Sequence, residues 1–193
     1  DFSGKEIFLQ FDGVESGFYL YVNDRPVGYS QDSKLPAEFD ISAFLQPGEN
    51  IITAVVLRFC DGTWLEDQDY FHLSGIYRPV RLLAKPKSHI RDFICDALPE
   101  GENRGRLNAR CFVNRTEGYA DQKIRLTLYD AQGNALVSET RPIDMEAPIR
   151  GRRAGRAGAS ATVAESATFT LPVKGISLWT PDTPTLYTAV FAL

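Results

Sequence analysis

Residues 17–30 read GFYLYVNDRPVGYS, two β-rich runs on either side of Asn23-Asp24. Aromatic and β-branched side chains suit a pleated, half-buried surface. Asn and Asp tolerate the positive φ that a tight turn requires, so the stretch predicts a β-hairpin. Upstream, EIFLQFDG (6–13) alternates apolar and polar residues, the period of a strand with one buried face. Downstream, EFDISAFLQPGEN (38–50) predicts a short strand followed by a turn at Pro47-Gly48. IITAVVLRF (51–59) is almost continuously apolar, which predicts a central strand covered on both faces. IYRPVRLLAKP (76–86) predicts another strand, closed by Lys85-Pro86.

A second series begins at about residue 88. SHIRDFICDAL (88–98), RGRLNARCFVNRT (104–116), QKIRLTLYDAQGNALVSET (122–140), SATFTLPVKG (166–175) and PTLYTAVFAL (184–193) all have strand character, and Gln132-Gly133-Asn134 turns a hairpin. Closely spaced strands with turn residues between them, and no amphipathic helix, imply an all-β chain of antiparallel sandwiches. The expected division is residues 1–86 and 87–193. The first unit offers only about six strands where an eight-stranded jelly roll is common, so its opening strands are expected to lie outside this chain.

Bulk properties narrow the function classes. The 193 residues are 44% hydrophobic and 24% charged, ordinary for a globular protein. A net charge of −4 argues against a nucleic-acid partner. No run approaches the roughly 18 apolar residues of a membrane helix, and the opening DFSGKEIFLQF lacks the basic-then-apolar pattern of a signal peptide. Cys60, Cys95 and Cys111 are odd in number and form no CxxC pair, so reduced structural thiols are expected. Cys95 and Cys111 could nevertheless face each other on neighbouring strands. RPIDMEAPIRGRRAGRAGASATVAES (141–166) places Arg150, Arg152, Arg153 and Arg156 among glycines and alanines. A segment of that length is either a solvated loop or one that reaches another domain or subunit.

Catalytic motifs are sparse: there is no G-x-S-x-G element, phosphate-cradling glycine loop or H-E-x-x-H spacing. What remains is DGTWLEDQDY (61–70), with Glu66, Asp67, Gln68 and Asp69 between Trp64 and Tyr70. Crowded carboxylates are relieved by a cation or by hydrogen-bond donors, and hard cations take oxygen ligands. Carboxylates also accept hydrogen bonds from sugar hydroxyls. Glycoside hydrolysis would instead need two carboxyl groups roughly 5–9 Å apart with one kept protonated. A structural loop, a sugar or cation contact, and a catalytic pair all remain open at this point.

Two stretches resemble a known family. DGVESGFYLYVNDRPVGYSQDSKLPAEFDIS (12–42) and GTWLEDQDYFHLSGIYRPVRLL (62–83) look very like the large bacterial β-galactosidases of glycoside hydrolase family 2, and LWTPDTPTLYTAVFAL (178–193) resembles the close of that family's second domain. The resemblance implies that 1–86 is the later part of a sugar-binding jelly roll and 87–193 an immunoglobulin-like sandwich. The catalytic barrel, with its acid/base and nucleophile glutamates and its magnesium ligands, is then expected outside this chain. By the same resemblance Asp69, the last acid of LEDQD, contacts galactose and a sodium ion at a site completed by the barrel, with Glu66, Asp67 and Gln68 supporting the loop. Neither a catalytic residue nor a cofactor of its own is expected in the chain, while sodium and magnesium are expected for the longer enzyme. The family also implies a homo-oligomer, with 141–166 placed where a loop reaches a neighbouring subunit, in the cytoplasm or periplasm of a bacterium. Trp64 and Tyr70 are expected to pack rather than stack on sugar, Trp179 to pack the second sandwich, and His72 to be a hydrogen-bonded loop residue. A free-standing carbohydrate-binding or immunoglobulin-like interaction module is the alternative.

Overall fold

The computed structural model describes residues 2–66, 69, 71–114, 121–145 and 165–193. They form two compact units, residues 1–87 and 88–193. Both units are built almost wholly from antiparallel strands, as the all-β expectation requires.

The first unit contains β1 (Lys5–Phe11), β2 (Val14–Glu15), β3 (Gly17–Val22), β4 (Arg25–Gln31), β5 (Ala37–Asp40), β6 (Ile52–Leu57), a one-turn helix α1 (Asp61–Leu65), β7 (Gly75–Ile76) and β8 (Val80–Pro86). One sheet has the order β5-β1-β8, a second β4-β3-β6, and β2 pairs with β7. Alternation dictates the layers: Ile7, Leu9 and Phe11 from β1 meet Phe18, Leu20 and Val22 from β3 in a single core with Val14 and Ile41. Phe18 is the centre of an aromatic cluster, its ring centroid 4.7 Å from Phe11 and 5.7 Å from Phe39. The hairpin turns at Asn23 and Asp24 with φ of 51° and 62°, the left-handed pair that a two-residue loop of matching twist requires. Asn23 also ties the turn to its surroundings, since its Nδ2 donates to the Phe44 carbonyl at 3.0 Å and its Oδ1 accepts from the Ile51 amide at 3.0 Å.

One expectation is overturned here. β6 is not a central strand: among the described residues it pairs only with β3 and sits at the end of its sheet. Ala54 and Val56 pack on the core, while Ile51, Ile52 and Val55 are exposed. A continuous apolar run states that both faces are greasy, not that this chain covers both.

The second unit contains β9 (His89–Pro99), β10 (Arg104–Asn114), β11 (Lys123–Tyr129), β12 (Ala135–Pro142), β13 (Asp144–Met145), β14 (Glu165–Lys174) and β15 (Thr188–Ala192). The sheets β13-β14-β10-β9 and β12-β11-β15 face one another. Leu107, Ala109, Cys111 and Val113 from β10 and Ala167, Phe169, Leu171 and Val173 from β14 pack on Ile124, Leu126 and Leu128 from β11. The β11–β12 hairpin closes through Gly133 at φ 84°, with Asp130 Oδ1 accepting from the Gln132 and Asn134 amides. The cysteines are free, and Cys95 and Cys111 do not face each other, because the register pairs Cys95 with Ala109 and Cys111 with Phe93. The arginine-rich stretch 146–164 lies outside the described residues.

Candidate functional site

The acidic segment begins with a single helical turn. Cys60 stands at its N-cap in extended conformation, its amide donating to Thr63 Oγ1 at 3.0 Å while the Thr63 amide donates to the Cys60 carbonyl at 3.0 Å. Burial pushes the Cys60 thiol up, but hydrogen bonds from Ser16 and Thr63 and from the Thr63 and Gly62 backbone outweigh it, so its pKa falls below the ordinary thiol value. The turn ends at Glu66, whose amide donates to the Gly62 carbonyl at 2.9 Å.

Glu66 then reaches across the fold. Its Oε1 accepts a hydrogen bond from the Ser33 amide at 3.0 Å, a contact spanning 33 positions of sequence. Ser33 is fully buried, and its carbonyl accepts from the Tyr77 hydroxyl. The neighbouring Lys34 carbonyl accepts from Arg78 Nη1 at 2.8 Å. Asp32 Oδ1 caps the local turn by accepting from the Lys34 and Leu35 amides at 3.1 and 3.2 Å. Glu66, Tyr77 and Arg78 thus hold Asp32–Leu35 from behind, fastening the two motif-bearing stretches into one structure. Sequence reading missed Ser33, Tyr77 and Arg78 as members of this site. They stand inside the recognisable motifs, but only the fold shows that they converge.

Asp69 is exposed, while Asp67, Gln68 and Tyr70 lie outside the described residues. Around Asp69 in sequence, Trp64 is 76% exposed, Leu65 88%, Phe71 86% and Leu73 78%. The expectation that Trp64 packs is therefore overturned: α1 has only Gly62 and Thr63 buried, and its remaining side chains point outward. His72 Nδ1 lies 3.6 Å from Glu15 Oε1, a close approach to a carboxylate that is beyond hydrogen-bond distance. Trp179 is 58% exposed instead of packed into the second sandwich. The segment before it is pinned by Tyr187, whose hydroxyl accepts from the Ser177 amide at 2.8 Å.

The two carboxylates differ in surroundings. Glu66 Oε1 is engaged by the Ser33 backbone amide, whereas Asp69 is exposed. Among the described residues no group of three or more His, Cys, Asp or Glu side chains could hold a metal ion. Asp69 offers oxygen to a hard cation, but a hard cation takes several oxygen ligands. A sodium site would therefore need ligands from elsewhere.

Comparison with known proteins follows this division. Residues 2–86 match the model "Glycosyl hydrolases family 2, sugar binding domain", and residues 88–193 match "Glycosyl hydrolases family 2". The chain is 41% identical over 185 residues to a β-galactosidase of Enterobacter cloacae and 40% identical over 185 residues to one of Pectobacterium atrosepticum. Each match covers 95% of this chain and 17% of the relative, so the chain spans a small part of the curated relatives' length. In fold it is similar to Bacteroides uniformis β-glucuronidase 2 (TM-score 0.76, 23% identity, 98% of this chain and 22% of that one). The Bifidobacterium dentium β-glucuronidase is also similar (TM-score 0.72, 18% identity, 98% of this chain and 34% of that one).

Proposed function

This chain belongs to glycoside hydrolase family 2, and from that premise we propose that it is the non-catalytic accessory part of a β-galactosidase. In this reading the longer enzyme hydrolyses terminal β-galactosides, and the chain positions a substrate-binding carboxylate for a catalytic barrel located elsewhere in the polypeptide. Asp69 is the residue that meets the galactose. Glu66 holds the loop that carries it, with Asp67 and Gln68 as further loop supports. Asp69 also gives one oxygen to a sodium ion whose other ligands come from the barrel, and magnesium belongs to the barrel alone. The longer enzyme is a homo-oligomer.

The observation that carries this reading is the pairing of an anchored Glu66 with an exposed Asp69 on a segment rich in exposed apolar side chains. A loop fixed from behind and open in front suits half of a shared site. Apolar exposure on that scale suits a surface covered by another domain.

The test is hydrolysis of an aryl β-galactoside by the purified chain with sodium and magnesium present. The expected result is no turnover. In the longer polypeptide, Asp69→Asn is expected to lower kcat/KM by about ten- to a hundredfold, the scale of one charged hydrogen bond. Turnover by the chain itself, abolished by Asp69→Asn or Glu66→Gln, would make the acidic loop a catalytic pair and sink the proposal. A free-standing carbohydrate-binding module is the second reading, favoured by the exposed Trp64 and Phe71 that flank Asp69 in sequence. It requires galactose binding by this chain alone.

A further inference from the structure

In the sequence Asp69 stands midway between Glu66 and His72, three residues from each. The Glu66 side is fastened, through the hydrogen bond from the Ser33 amide at 3.0 Å. The His72 side is not: Nδ1 stops 3.6 Å from Glu15 Oε1. The Leu73 amide donates to the Phe71 carbonyl at 3.1 Å, a three-residue turn with His72 at its centre. Phe71 and Leu73 are 86% and 78% exposed, whereas the His72 side chain is 24% exposed and lies beside Glu15.

Glu15 is a fixed target. It lies on β2, pairs with Gly75 of β7, and stands between Val14, in the core, and Ser16, whose hydroxyl donates to the Leu57 and Arg58 carbonyls at 3.3 Å. Its Oε1 is enclosed and accepts no hydrogen bond among the described residues. An enclosed acceptor left unsatisfied is costly, more so when it is ionised. The other ionisable groups of the adjoining elements are engaged elsewhere or exposed. Arg58 lies over the Phe59 ring, the Cys60 thiol is bonded to Ser16 and Thr63, and Asp61 is exposed at the start of α1. Tyr77 and Arg78 donate to the Ser33 and Lys34 carbonyls, and Asp12 pairs with Arg81. A neutral imidazole carries one proton on one of its two nitrogens, whereas an imidazolium donates from both. A charge-assisted bond is also shorter, at about 2.7–2.9 Å, so protonation supplies both the donor and the pull that close the gap.

We propose that Glu15 and His72 are a positioning pair for Asp69, closed when His72 carries a proton. The imidazolium then donates from Nδ1 to Glu15 Oε1, holds the turn at Phe71–Leu73 against β2, and completes the second anchor beside Asp69. This rests on the reading of Asp69 as the residue that meets the galactose. Histidine changes charge between about pH 5 and pH 8, and an ordinary glutamate is ionised above about pH 4.3. The closed pair therefore belongs to the acid side of that range and is lost as pH rises through it.

Two measurements test the pair. In the 193-residue chain, amide exchange at Phe71–Leu73 is compared between the parent and the near-isosteric Glu15→Gln at matched pH. The parent should exchange about three- to tenfold more slowly at about pH 5.5, the scale of one partly screened charged bond, and equally fast at about pH 8. In the longer polypeptide, KM for an aryl β-galactoside is followed across the same range. For the parent it should rise about three- to tenfold towards pH 8, with the effect on KM and not on kcat. Glu15→Gln should hold KM at the high value throughout. His72→Arg, charged at every pH, should hold it at the low value. A merely structural role for the pair predicts no such rescue. Equal exchange in parent and Glu15→Gln at both pH values overturns the pairing. If exchange shows the pair but both variants keep the parent's KM profile while Asp69→Asn raises KM, the positioning role is overturned and the reading of Asp69 stands. If Asp69→Asn leaves the longer enzyme unchanged, the reading of Asp69 fails and the positioning role falls with it.

Discussion

Glu66 presents a carboxylate oxygen to the Ser33 amide, and Ser33 is fully buried. Removing one partner of such a bond leaves an enclosed donor with nothing to bind, which costs about 1–3 kcal/mol. Glu66→Ala should therefore lower the stability of the first unit by that amount in denaturant titration, and should speed hydrogen exchange at Ser33. Cys111 offers a second test at the same scale. Burial pushes its thiol up, from an ordinary 9.0 to about 11, with the charges of Cys95 and Asp92 adding to the effect. The unfolded chain ionises first, so the stabilisation is fully present below pH 9 and declines as pH rises through about 11. Cys111→Ala should flatten the stability profile across that window relative to the parent chain. The single residues that sequence reading misjudged, Trp64 and Trp179, share one cause. A tryptophan's size predicts burial somewhere, but not whether the burying surface belongs to the same chain.

Among the elements, the hairpin of β3 and β4 was the most legible. Its turn needs positive φ at two successive positions, and few residue types other than glycine accept that. Asp24→Val should destabilise the first unit by about 1–2 kcal/mol, the cost of a branched side chain in the left-handed region. Asp24→Gly should be close to neutral; equal losses for both variants would show that the side chain, not the φ angle, matters there. Phe18 on β3 tests the core. It is 2% exposed and packed on two aromatic rings, so Phe18→Ala should cost about 3–5 kcal/mol by equilibrium unfolding. β10 was legible for a different reason, since its strict alternation from Arg104 to Asn114 states one inward face. β6 was not. An apolar run carries no information about which neighbours are present, and only the pairing pattern shows β6 at the end of its sheet. The Ser33–Glu66 contact was equally invisible, because 33 residues separate the partners and neither has a periodic signature.

At the scale of the whole molecule, each unit has its own apolar core, and the candidate site lies entirely in the first. Sequence patterns carried the all-β architecture, and the LEDQD motif pointed to Asp69. The supporting wall of Ser33, Tyr77 and Arg78 emerged only when the strands were assembled. In the proposed reading Asp69 is one carboxylate of a shared site and supplies too few contacts to hold a sugar alone. Titration calorimetry of this chain with galactose should show no binding tighter than about 1 mM, a threshold near 4 kcal/mol of binding free energy. Binding above that strength would favour the free-standing module.

The clamp between Asp32–Leu35 and the Glu66, Tyr77 and Arg78 side chains also has a consequence for recombination. The two segments form one block of inheritance although some thirty residues of unrelated chain run between them. When this chain is shuffled with relatives that carry a different pairing, crossovers between residues 36 and 60 divide the block and produce misfitted loops. Crossovers in the 87–88 junction leave it whole. A chimaera library should show this as a gap in the map of tolerated breakpoints.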